Sequence, residues 1–220
     1  MLIIRDFSNR FQQISGMPIN SKGGKDMLKR AGIDTNSKQY QAVMKSMSAA
    51  CSGVGYTNVQ AIKNRMSHYD KDGDYISPVT GLAGLVVTEK NRAEKNRIID
   101  IPESSRDEMF ELTKKEFLQE NGVGNGDTTR RSDVYLNLYR KMDKNDRLAA
   151  GNTLRQYERA YTQAFVDAVK VIDSKWEPGK PIPSGALDGI TRESIDNSLV
   201  QSGDSLVKKT SSGSTLDIQV

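Results

Sequence analysis

Five stretches of this chain repeat one arrangement, a polar capping residue followed by an apolar stripe at three- and four-residue spacing. That repetition commits the backbone to helices, because capping side chains satisfy amides that have no partner in the first helical turn. "TNSKQYQAVMKSMSAAC" sets Asn36 three residues before Gln39 and then aligns Tyr40, Val43, Met44 and Met47; "YTNVQAIKNRMSHYD" repeats it with Thr57, Gln60 and the stripe Val59, Ile62, Met66, Tyr69. The two read as a helical hairpin. "PESSRDEMFELTKKEFLQENG" offers Ser105 and Glu108 as a capping box, Met109, Leu112, Phe117 and Leu118 as the apolar side, and Gly122 as a stop. "DTTRRSDVYLNLYRKM" turns Val134 and Leu138 inward, with Asp127 or Thr128 as its cap. "TLRQYERAYTQAFVDAVKVID" opens at Thr153 and Gln156 and carries Leu154, Tyr157, Tyr161, Phe165 and Ile172, so it is expected to be the central helix.

No alternation is long enough for a large sheet, and the fold class expected is mainly α. It should be a single compact helical domain over 22–175, preceded by an N-terminal segment, 1–21. Residues 176–220 read as a connector rich in Pro and Gly, a short helix within 188–203 and a less regular tail, with Trp176 pinning the connector to the body. Leu216, Ile218 and Val220 alternate and could add one strand.

The residue inventory narrows the chemistry. Cys51 is the single cysteine and His68 the single histidine, so disulfide frameworks, cysteine-based zinc sites and a recognisable nucleophile–histidine pair are not expected. The start "MLIIRDFSNRF" lacks the apolar run of a secretory leader, and no stretch approaches a membrane span. A cytoplasmic protein without membrane contact is expected, with export by a route lacking a cleavable signal as the other option. "QENGVGNGDTT" resembles a phosphate loop only in its glycines, because Asp127 stands where the lysine of that loop belongs.

Net charge is +4. Arg92, Lys95 and Arg97, together with Arg130 and Arg131, are the residues that a nucleic-acid surface would have to gather on one face, but acids lie close to most of them. A hydrolase whose carboxylates assemble only in the fold is a further alternative, though nothing in the sequence selects a pair.

The stretch "YDKDGDYISPVTG" is the one candidate metal site. Asp70, Asp72 and Asp74 fall at positions one, three and five of an EF-hand-like calcium loop, and the carbonyl of Ile76 at position seven. Tyr75 replaces the turn glycine and Gly81 the closing glutamate, so an EF-hand proper is excluded, and Ser77, Thr80 or water would have to complete a Ca2+ shell. The competing reading is an Asx-rich turn at a helix end, with Gly73 at positive φ.

"AGIDTNSKQYQAVMKSM", "YTNVQAIKNRM", "YDKDGDYISPVTGLAG", "QENGVGNGDTTRRSDVY", "LRQYERAYTQAF" and "ITRES" resemble segments of an uncharacterised protein family from Gram-positive bacteria, over about residues 24 to 207. The resemblance implies no activity, cofactor or catalytic residue. The function expected is therefore that of a non-enzymatic helical protein that binds another protein, with calcium as a candidate ligand of the aspartate loop.

Overall fold

The computed structural model of the chain describes residues 21–50, 59–124 and 129–209. Its contacts cluster into two units, Met1–Val86 and Val87–Val220. The architecture is mainly α: seven α-helices, one 3-10 turn and a two-stranded hairpin among the described residues.

The first unit holds α1 (Lys22–Arg30), α2 (Lys38–Ala50) and α3 (Val59–Met66). Ser21 caps α1 by accepting the Gly24 amide at 3.0 Å. Leu28, Ile33, Tyr40 and Ile62 are buried together, with Met44, Val59 and Met66 packed against them, so the stripes read from sequence do form the core. The cap of α2 differs from expectation. Ser37 Oγ accepts the Tyr40 amide, while the Asn36 amide donates to Asp34 and Gln39 reaches away to the Tyr69 carbonyl. One residue of slip suffices because Ser and Asn cap equally well. Thr57, Cys51, Gly53 and Gly55 lie outside the described residues, as do Asp127 and Thr128.

The second unit is built on α4 (Glu103–Gln119), α5 (Thr129–Lys141) and α6 (Arg147–Ile172). Phe110 meets Tyr161 and Phe165, and Phe117 meets Phe165, at ring distances of 5.4, 5.6 and 5.5 Å, so α4 and α6 run in the same direction. Arg131 pairs with Glu116 and Lys141 with Glu108, which makes α5 antiparallel to α4. The helix α6 begins two turns earlier than the Thr153 and Gln156 box predicts. Thr153 is interior: its hydroxyl donates to the Ala149 carbonyl and accepts the Ile99 amide. Asn152 donates to the Asn96 carbonyl, tying the 3-10 turn Glu94–Asn96 to the start of α6.

In α4 the expected capping serine is likewise inside. Ser105 is fully buried and its hydroxyl has no hydrogen-bond partner among the described residues, while Pro102 occupies the cap position without a side-chain bond. Proline's preset φ starts the helix where the sequence pattern expected a serine to do so. The inward face is Met109, Phe110, Thr113 and Phe117, and Leu118 points outward at 46% exposure. Gly122 closes α4 as expected, its amide bonding to the Phe117 carbonyl at φ +75°; a Cβ there would stand 2.8 Å from the Trp176 ring.

Residues 176–209 are integral to this unit. Trp176, Leu187 and Ile195 share the core of α4, α5 and α6. A short helix, α7 (Arg192–Ser198), capped by Thr191, leads directly into strands β1 (Leu199–Ser202) and β2 (Ser205–Lys208), paired antiparallel with Val200 opposite Val207. The alternation at Leu216, Ile218 and Val220 lies outside the described residues.

Candidate functional site

The aspartate loop follows α3 and is organised by Asp70. One of its carboxylate oxygens, Oδ1, accepts the amides of Asp72 and Asp74, each at 2.9 Å. The Asp70 amide donates to the Asp74 carbonyl and the Gly73 amide to the Asp70 carbonyl, closing the turn with Gly73 at φ +83°. Positive φ is not the only reason for glycine here, since a Cβ would come within 2.8 Å of the Lys38 carbonyl oxygen. Lys38 Nζ lies 3.8 Å from Asp72 and so offsets part of the acidic repulsion. Tyr69 and Tyr75 pair across the turn and pack edge to face at 5.7 Å, with His68 stacked on Tyr75. The Ile76 amide donates to the His68 carbonyl, and Ile76 bridges to Ala83. Among the described residues no group of three or more His, Cys, Asp or Glu side chains is placed to hold a metal ion.

The basic residues divide between separate places. Arg97 donates to Asp146 at 2.8 Å and pairs with Glu94, at the start of α6. Arg131 bonds Glu116 and Glu158 at 2.7 and 2.8 Å, where Tyr135 also donates to Glu158. Asp146 and Glu158 are twelve residues apart along the chain, about 18 Å of helix. Arg92 and Arg130 are exposed, and Lys95 is half-buried in the 3-10 turn.

A polar cluster missed at the level of sequence anchors α7. Asp196 accepts from Arg106 at 2.9 Å, from Arg192 at 2.7 Å and from the Tyr161 hydroxyl at 3.0 Å. Arg192 also meets Asp107 at 2.5 Å and Glu193 at 2.9 Å, and the Arg106 guanidinium stands 5.3 Å over the Tyr157 ring. Arg192 and Asp196 stand at a readable i,i+4 spacing on α7, but their partners on α4 and α6 come from distant parts of the chain, which no local spacing announces. Favourable bonds to Asp196 and Asp107 outweigh burial and push the Arg192 guanidinium above its ordinary value.

Burial, reinforced by the Glu158 and Asp196 carboxylates, raises the hydroxyls of Tyr135 and Tyr161 above their ordinary 10.0. Stability from these neutral hydroxyls is fully present below pH 10 and is lost as pH rises above it, because the unfolded tyrosine ionises first. The decline should approach about 1.4 kcal/mol per pH unit for each residue. Melting curves between pH 9 and 11 should fall less steeply for Tyr135→Phe than for the unaltered chain.

A groove runs between α6 and the α7–hairpin segment. One cleft, of about 540 Å³, is lined by Gln156, Arg159, Ala160 and Gln163 of α6, by Ile195, and by Leu199 and Ser205–Lys208 of the hairpin. A second, of about 360 Å³, shares Ile195 and Lys208 and adds Ala164, Asp167, Ser194, Ser198 and Lys209. Gln156 sets one edge by donating to the Asp204 carbonyl and accepting the Leu206 amide. Lys208 pairs with Asp167, which also accepts from Gln163 at 2.7 Å. Although burial works the other way, these bonds hold the Asp167 carboxyl below its ordinary range. The hairpin was not foreseen, yet "SLVQSGDSLVK" does contain a signal: Gly203 and Asp204 between two short apolar runs form a two-residue hairpin turn.

No helix among the described residues is long and apolar enough to cross a membrane. No curated protein and no solved structure matches the chain. A family model matches residues 33–220, and by that match the chain belongs to the family described as Domain of unknown function (DUF3879).

Proposed function

We propose that this chain is a non-enzymatic helical protein that acts by binding a protein partner in the groove between α6 and the α7–hairpin segment. The observation that carries the reading is the makeup of that groove. It combines an apolar floor with cationic edges, and among the described residues lining it the one acid, Asp167, is engaged by Lys208 and Gln163, which hold its carboxyl below the ordinary range. Elsewhere, Glu116 and Glu158 both clasp Arg131, and Asp107 and Asp196 both clasp Arg192, which supports a structural role for these acids over hydrolysis. Arg97 and Arg131 donate to carboxylates, so the proposal does not draw on a nucleic-acid surface; retention on duplex DNA or RNA at low salt would reverse that choice.

A photo-crosslinking side chain at Gln163, in the groove, should capture a partner protein that the same group at Glu111, exposed on α4, does not. The captured band should disappear with Leu206→Asp. Equal capture from both positions would remove the reading.

Calcium at Asp70, Asp72 and Asp74, with the Ile76 carbonyl, is the second element of the proposal. What supports it is the sequence spacing of the three aspartates within a turn closed at Gly73, and it requires the three carboxylates to converge and Asp72 to exchange Lys38 for the cation. A ligand that binds the native state alone raises the melting temperature. A rise at millimolar calcium supports the site, and an unchanged value removes it.

A further inference from the structure

We propose that the occupant of the groove is an acidic peptide segment carrying one or two apolar anchors, an inference that rests on the partner-binding reading above. Among the described residues, three cations line the two clefts, Arg159, Lys208 and Lys209, against the one carboxylate of Asp167. Lys208 is spent on that carboxylate. Arg159 is exposed and has no carboxylate partner among the described residues, whereas Arg97, Arg106, Arg131 and Arg192 each have at least one. An arginine beside an apolar floor, without an acid among the described residues, fits a carboxylate brought by another chain.

The floor decides the rest of the ligand. Ala160, Ile195, Leu199 and Leu206 line the larger cleft, and its volume of about 540 Å³ exceeds what one or two aliphatic or aromatic side chains occupy. Along α6 the lining positions Gln156, Arg159, Ala160, Gln163, Ala164 and Asp167 follow a single helical stripe. Eleven residues of helix measure about 16 Å, the reach of about five extended residues. Apolar contacts would supply affinity and the cations orientation and encounter rate, so binding should weaken with salt.

The test is selection of a random peptide library displayed on phage against the full-length chain, followed by anisotropy with fluorescein-labelled copies of the enriched peptides. Enriched sequences should carry net negative charge and at least one large apolar residue. Their affinity should fall about tenfold in Arg159→Glu and Lys209→Glu, both at exposed positions, and several-fold between 0.1 and 0.5 M salt. Neutral or basic peptides that still depend on Arg159 or Leu206 overturn the acidic class and leave the partner-binding reading standing. Enriched peptides indifferent to every groove substitution, or no enrichment, overturn the proposal; the Gln163 cross-link then decides the broader reading separately. Dimerisation that Arg159→Glu abolishes would give the groove to a second copy, and a cross-link from Gln163 to residues 210–220 would give it to the chain's own end. Either result overturns the proposal.

Discussion

Replacing Asp196 with alanine should destabilise the second unit by about 3–5 kcal/mol, because it removes the buried carboxylate that two guanidinium groups share and leaves Arg106 and Arg192 only the exposed acids Glu103, Asp107 and Glu193. The side chains of Asp196 and Arg192 are each 9% exposed and that of Arg106 15%. Breaking a buried pair from one side costs far more than the pair contributes net, since the remaining charge keeps its desolvation penalty. The Tyr161 hydroxyl loses its acceptor in the same step. Midpoints in urea, followed by circular dichroism, should fall accordingly. Asp107→Asn is the control: that side chain is 55% exposed, and a pair at the rim should contribute less than about 1 kcal/mol. A loss no larger for Asp196→Ala than for Asp107→Asn would mean that water reaches the cluster. The substitution should also weaken groove binding, because Asp196 holds the helix that carries Ile195 and Ser194 into the groove wall.

Trp176→Ala should cost a similar amount, about 3–5 kcal/mol, by opening a cavity in the core. Trp176 is 1% exposed, packs on Phe117 at 5.8 Å and donates its indole N–H to the Lys180 carbonyl at 3.0 Å. The turn around Gly122 closes over the ring, and the Gly179 amide returns to the Asn121 carbonyl, so the cavity cannot collapse without moving two segments. Trp176→Phe keeps a ring and loses the indole donor, and should cost less than half as much. Circular dichroism must follow the variants, since Trp176 is the only tryptophan. In the unaltered chain that fact is useful: fluorescence reports the second unit alone, and its midpoint compared with the dichroism midpoint tells whether the two units melt together.

Much of the fold was legible because helices declare themselves locally. The stripes Leu154, Tyr161, Phe165 and Val134, Leu138 reach the core as their spacing requires, and Gly122 ends α4. Trp176 does pin the connector. The errors fall at helix starts and at two side chains, Leu118 and Ile172, which were assigned inward and are 46% and 57% exposed. Ser105 and Thr153 match a capping box in spacing, yet proline at 102 and the residues from Arg147 onward begin their helices earlier, because tertiary contacts to Ile99 and Asn96 hold extra turns of α6. Leu118 was assigned inward and points outward, since Phe117 beside it takes the inward direction against Phe165 and Trp176.

By itself, then, the sequence determined the helical class, most of the apolar stripes and the turn at Gly73, all of which depend on neighbours within a few positions. Only the tertiary structure decided what the charges do. Arg131 bonds residues 15 and 27 positions away and Arg106 one 90 positions away, and the groove takes its walls from α6 and from a hairpin some 50 residues further along. Coulombic partners and cavities depend on distance in space, and no periodicity in the chain encodes it.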